Sequence, residues 1–293
     1  MEEEIDMAYA AGILDGDGSF SLLLHKSVTK DSWRSFYHPC IQLSNAYENM
    51  SKWLNNKFDG SLRIKKPQQE HHKPLYVWSL RSREKCKILI EKIKPYLKLK
   101  KEQINIILDF LSIDHFNMIE GEKYNIKIKD ANRRILFDSK GFNIQTLEDS
   151  KDPLFWSYIA GIMDTEGSFT IKKEKAHSGS ISKRYSPIIQ LTMVPSVCLN
   201  YLRNNYSGGS FCVAKAKTTG KGYVYKMNIC KRQDCINFAK SILPYMKCKN
   251  EQASLIIKFC EENKAVKNCK AGVPPEILKF REEMYIKMRQ LNK

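Results

Sequence analysis

Residues 9–20, YAAGILDGDGSF, return as residues 158–169, YIAGIMDTEGSF, with eight identities in twelve at an offset of 149. A second pair of windows, PYLKLKKEQ at 95–103 and PYMKCKNEQ at 244–252, keeps that offset with six identities in nine. Two matched pairs at one offset make the chain a single unit built twice, so whatever one half folds into, the other must also fold into. Divided between two copies, 293 residues leave about 140 for each, enough for a core of its own.

Within the first copy, residues 6–14 place small and apolar side chains at helical spacing and run into Gly16 and Gly18, which predicts a helix closed by glycines. The second copy opens on Asp152-Pro153, an N-cap followed by proline at the first helical position, and stops at Gly167. Alternation predicts strands at 19–26, 37–44, 60–65 and 75–80, with helices at 48–58, 84–93 and 101–111. The expected class is α+β: two pseudo-symmetric αββαββα halves, each a four-stranded antiparallel sheet with helices on one face and the other face open. The halves are placed at 1–115 and 152–265. Between them lies a charged linker, 116–151, with one helix near 130–137, and after them a helical extension, 266–293.

Forty-nine Lys and Arg against 32 Asp and Glu give a formal charge of +17, which favours a polyanionic partner, nucleic acid first. No run approaches the 18 or so apolar residues of a spanning helix and no basic amphipathic helix stands out, so no membrane partner is expected. The acidic start, Met1 to Glu4, is unlike a signal or transit peptide, and the expected location is the compartment of synthesis, a bacterial cytoplasm or an organelle matrix. Nine cysteines without a Cys-x-x-Cys pair suit buried thiols in a reducing compartment better than a disulfide scaffold. His71 and His72 sit in a polar stretch that reads as solvated rather than as a zinc site.

AAGILDGDG at 10–18 and IAGIMDTEG at 159–167 resemble the LAGLIDADG signature of homing endonucleases, in the form where one chain carries both copies. The resemblance implies a DNA-binding saddle formed by the two sheets. It also implies a monomeric, intron-encoded, Mg²⁺-dependent nuclease, with Mn²⁺ able to substitute. Such an enzyme cuts both strands of a long, asymmetric double-stranded DNA site and leaves short 3′ overhangs. An RNA-splicing maturase that binds its own intron RNA, and a regulator that has lost cleavage, share the fold and stand as alternatives.

The motif residues also carry a physical reading. Ala8, Ala11 and Gly12 share one helix side, as do Ser157, Ala160 and Gly161, and such small side chains let two helices pack backbone to backbone. That packing would bring Asp17 beside Glu166. Taken singly, each could be an exposed turn acid; together at helix C-termini they repel unless cations occupy the site, and oxygen ligands suit hard ions such as Mg²⁺. A pair of ions roughly 4 Å apart can activate water and stabilise a leaving oxygen.

By resemblance, the carbonyls of Gly16 and Thr165 complete the metal sites, and Asp15 and Asp164 are structural. Lys100 and Lys249 match the family's active-site lysine, although composition alone allows surface lysines; Lys98 and Lys247 are weaker candidates. Residues 41–45 (IQLSN) align with 189–193 (IQLTM). Asn45 supplies the amide that orders active-site water in the family, which Met193 cannot do, so unequal sites and unequal strand rates are expected. For DNA contact the candidates are Gln42, Ser61, Arg63, Lys65, Lys172, Gln190 and Lys226 on open sheet faces, with Leu62 and Ile64 turned to the core. Two sheets side by side would cover roughly 20 base pairs.

Overall fold

A computed structural model describes the chain apart from residues 30–31, 68, 70–72, 114–117, 137–141, 143–145, 147, 175–182, 195, 216–222 and 264–272. His71, His72 and the end of the helix expected near 130–137 lie outside the described residues. The first half runs α1 (Glu2–Gly16), β1 (Gly18–Thr29), β2 (Ser32–Asn45), α2 (Glu48–Phe58), β3 (Ser61–Lys65), β4 (Leu75–Leu80), α3 (Arg83–Ile93), α4 (Lys101–Leu111) and α5 (Met118–Leu136). The second runs α6 (Pro153–Glu166), β5 (Gly167–Glu174), β6 (Arg184–Met193), α7 (Val197–Arg203), β7 (Ser210–Lys215), β8 (Tyr223–Ile229), α8 (Arg232–Ile242), α9 (Asn250–Glu262) and α10 (Pro275–Leu291).

Each half holds an antiparallel four-stranded sheet, in the orders β1-β2-β4-β3 and β5-β6-β8-β7. Period-two alternation sets the faces: Phe20 and Leu22, like Phe169 and Ile171, are buried, while Ser19 and Ser168 just before them are exposed. Asp152 caps α6 as expected, its carboxylate accepting the Leu154 N–H at 2.9 Å with Pro153 in the first turn.

The structure corrects two expectations. No motif glycine closes a helix in the left-handed region; among the described residues only Asp59, Gly60 and Gly209 have positive φ. Helix α1 runs through Gly16 and stops in right-handed backbone at Asp17, because a lysine side chain, described below, takes up its terminal carbonyls. Leu62 and Ile64 do share the core-side face with Trp78 and Tyr76. They are nevertheless 37% and 62% exposed, since β3 is the sheet edge.

The charged stretch after the first half carries more than was expected of it. Helix α5 packs on α4, β1 and β2, and α10 packs on α9 and β5, so each sheet receives one further helix at an equivalent place. Gln103 donates to Asn132 at 3.1 Å in α5, and its repeat partner Gln252 donates to the Leu291 carbonyl of α10 at 3.0 Å. At an offset of 160, Ile126, Lys127 and Asn132 correspond in sequence to Ile286, Lys287 and Asn292. The repeat therefore extends through both helices at a changed offset.

The halves meet along α1 and α6. A Cβ built on Gly12 would lie 2.2 Å from the Tyr158 carbonyl oxygen, and one on Gly161 2.5 Å from that of Tyr9. Ser157 Oγ donates to the Ile5 carbonyl at 2.7 Å. The small residues of the motif thus do what their size suggests, and they bring the ends of the two helices together.

Candidate active site at the paired helix ends

Asp17 follows α1 and Glu166 closes α6, and the two charges feel each other. The Glu166 carboxyl is pushed above the ordinary glutamate range, first by burial and next by the negative charge of Asp17, while Lys100 and Lys249 pull it back. Asn45 Nδ2 donates to Asp17 Oδ2 at 2.5 Å and its Oδ1 accepts the Tyr47 N–H at 2.8 Å. The amide therefore fixes a carboxylate in this structure. Its counterpart Met193 is buried and has no proton to offer Glu166, so the two acids are held differently.

A raised Glu166 pKa favours the protonated fold: its contribution to stability is complete below the ordinary glutamate range and is lost as pH rises through the raised value. Glu166→Gln is accordingly expected to raise the melting temperature of the metal-free protein at pH 7, with the gain shrinking at pH 4. An equal gain at both values, or none, would mean that the Glu166 charge is not what strains the site.

The lysines come to the same place from the start of the next repeated window. Lys100 Nζ donates to the carbonyls of Leu14, Gly16 and Gly18 at 2.7, 3.2 and 2.6 Å. Lys249 Nζ donates to those of Met163, Thr165 and Gly167 at 3.1, 3.2 and 2.7 Å. Each ammonium thus sits on the negative end of its helix and touches a carbonyl, Gly16 or Thr165, expected to face a metal. A carbonyl oxygen has two lone pairs, so one remains on each. Burial lowers both lysine pKa values, against the pull of the nearby acids.

Among the described residues no group of three or more His, Cys, Asp or Glu is placed to hold a metal ion. Two carboxylates and the two carbonyls are the oxygen donors that an ion here would find besides water. An all-oxygen, anionic donor set whose acids repel one another fits a hard divalent cation.

Asp15 and Asp164 are buried and structural, in line with the resemblance. Asp15 accepts the N–H groups of Lys98, Leu99 and Lys100 at 2.7, 3.1 and 3.0 Å, and Asp164 those of Lys247, Cys248 and Lys249 at 2.8, 3.2 and 2.8 Å. Each carboxylate so holds the turn that bears its lysine. Lys98 and Lys247 stand over aromatic rings: Lys98 Nζ lies 4.3 Å from the Tyr201 ring centroid, and Lys247 Nζ 5.0 Å from those of Tyr9 and Trp53 and 3.7 Å from Asp6 Oδ1.

Residues 10–114 match the family model described as LAGLIDADG endonuclease. That match covers the first of the two motif copies. The fold of the chain is similar to that of the homing endonuclease I-SmaMI bound to cleaved DNA, with TM-score 0.66, 16% identity, and 98% of each chain covered. It is similar also to I-GzeII in complex with its DNA target, with TM-score 0.60, 18% identity, and 98% of this chain and 99% of that one covered. I-LtrWI bound to target DNA gives TM-score 0.65 and 14% identity over 97% of this chain and 98% of that one. No curated protein matches the chain.

On either side of α1 and α6 the register collects the predicted contact residues on the open sheet faces. Gln42 pairs with Ser79, which pairs with Ser61, and Arg63 and Lys65 follow on the same face of β3. In the second half Lys172, Gln190 and Lys226 share a face through Ser186, Asn228 and Thr192. Arg63, Lys65 and Lys172 are exposed; Gln42, Gln190 and Lys226 are half-buried. Lys172 pairs with Glu174 at 2.8 Å.

Sequence reasoning passed over His25, Phe36 and His38, which the register adds to the first face, and Arg81, whose charge acts on His38. The His25 ring lies 5.0 Å from Phe36 and 6.1 Å from His38. Burial, then Arg81 and His25, lower the His38 pKa. Their alternation along β1 and β2 was the available signal.

Proposed function

We propose that this chain is a site-specific DNA endonuclease that acts as a monomer and cuts both strands of one long, asymmetric duplex target, leaving short 3′ overhangs. The observation that carries the reading is the meeting of Asp17 and Glu166 at the ends of two packed helices, between two open sheet faces. A divalent ion, Mg²⁺ with Mn²⁺ as substitute, would supply Lewis-acid activation of water and stabilise the leaving oxygen there. Asp17, Glu166 and the carbonyls of Gly16 and Thr165 would hold it. Lys100 and Lys249, their pKa values lowered by burial, are suited to exchange a proton with the attacking water or to offset charge on the phosphate.

The sheets supply the address. Arg63, Lys65, Lys172 and Lys226 favour phosphates, and Gln42, Ser61 and Gln190 have the paired donors and acceptors that base edges require. Divergence between the halves makes the target asymmetric. The difference between Asn45 and Met193 makes the two strand rates unequal.

The test is an in vitro selection from a randomised duplex library in Mg²⁺, capturing newly cut ends. One long asymmetric site, recovered with the parent protein and absent with Asp17→Asn, is the expected result. Tight binding without cut ends would overturn cleavage and leave a DNA-binding regulator.

A further inference from the structure

We propose that Tyr9 and Tyr158 are positioning residues that cross between the halves, each setting the lysine-bearing turn of the opposite active site. Tyr9 belongs to α1, yet its hydroxyl donates at 2.7 Å to Asp164 on α6, the carboxylate that gathers the backbone of residues 247–249. Tyr158 belongs to α6, and its hydroxyl donates at 2.9 Å to Asp15 on α1, which gathers residues 98–100. The rings repeat the crossing. Lys247 Nζ stands 5.0 Å from the Tyr9 centroid, and Lys98 Nζ 5.9 Å from that of Tyr158.

Each tyrosine therefore meets the other half's turn twice, through its hydroxyl and through its ring face. Both side chains are fully buried, and burial with an adjacent carboxylate holds both phenols protonated, as obligate donors. The backbone carbonyls of these same tyrosines sit against Gly161 and Gly12, so the helix spacing that brings the acids together also fixes the hydroxyls. Each lysine amine then depends on a residue of the opposite half. Each hydroxyl also has a cysteine beside it, Cys198 Sγ at 3.2 Å for Tyr158 and Cys248 for Tyr9.

The catalytic consequence rests on the endonuclease reading, whereas the positioning does not, and the experiment separates them. Amide hydrogen exchange is measured by NMR at residues 98–100 and 247–249 in the parent, Tyr9→Phe and Tyr158→Phe proteins, after a melting curve confirms that each is folded. Losing one hydrogen bond to a buried charge should speed exchange roughly ten- to a hundredfold. Tyr9→Phe should do so at 247–249 and leave 98–100 unchanged; Tyr158→Phe should do the reverse. If Tyr9→Phe does not fold, Tyr158→Phe decides alone, with 98–100 the segment to respond and 247–249 the control.

On the selected target, nicking of each strand is then followed with end-labelled DNA. Tyr9→Phe should slow the strand that Lys249→Met slows, and Tyr158→Phe the strand that Lys100→Met slows. Exchange rising in the tyrosine's own half, in both turns equally, or in neither would overturn the crossing. Crossed exchange in a parent protein that cuts no DNA would fault the endonuclease reading and leave the tyrosine assignment standing.

Discussion

Asp17→Asn is expected to lower double-strand cleavage by roughly a thousandfold, with binding of the target in Ca²⁺ unchanged. The substitution keeps the shape of the side chain and removes its charge, so a cation loses one of the two acids at the helix ends. It also turns the 2.5 Å contact with Asn45 from a charge-assisted bond into one between neutral amides, about half as strong. Glu166→Gln should fall as far, from the other side of the site. For this second variant the expected rise in melting temperature at pH 7 is an internal control, because lost cleavage in a more stable protein cannot be put down to unfolding. Parent-like cleavage in either variant would refute the metal assignment. Lost binding together with lost cleavage would instead give the acids a structural role.

Much of this arrangement was legible before any coordinates. The helices at 48–58 and 101–111 and the strand at 75–80 fall where period and punctuation put them, because each is amphipathic and bounded by strong signals. The duplicated motif placed both acids and both lysines, and the register confirms that the chosen polar residues share open faces. Helix α5 and its relation to α10 were not legible. Few of their residues match, and a different offset separates them, so the repeat fades where only packing on a sheet is required.

The burial of Leu62 and Ile64 was misread because period two assigns a face but not whether anything covers it. The helices do end at the motif glycines, Gly167 capping α6, but not in the left-handed backbone that glycine suggests; the sequence does not show a distant lysine satisfying the last carbonyls. Tyr9 and Tyr158 stood at the head of both repeated windows and were passed over. A tyrosine among apolar residues looks like core, and its partner lies across an interface.

Gly12→Ala is expected to destabilise the protein by about 3 kcal/mol or more, at the top of the range for overpacking. Two effects oppose each other. Alanine in mid-helix is favoured over glycine by about 1 kcal/mol, but its Cβ would lie 2.2 Å from the Tyr158 carbonyl oxygen and 3.1 Å from the Gly161 Cα. Both are backbone atoms of the facing helix, so relief requires the helices to separate, and the steric term wins. Gly161→Ala should behave alike, with the Tyr9 carbonyl at 2.5 Å. Gly16→Ala supplies the contrast. The added Cβ meets the Thr165 hydroxyl at 2.1 Å, which can rotate away at the cost of its bonds to the Gly161 and Ile162 carbonyls. It also meets the Thr165 Cβ at 2.8 Å, which asks for a smaller backbone shift than the 2.2 Å contact at Gly12. Urea titrations should rank Gly12→Ala and Gly161→Ala well below Gly16→Ala in stability. Separated helices would also part Asp17 from Glu166 and loosen both tyrosine crossings, so any folded Gly12→Ala protein should lose cleavage on both strands. A midpoint at or above that of the parent would mean that the helices are not packed backbone to backbone.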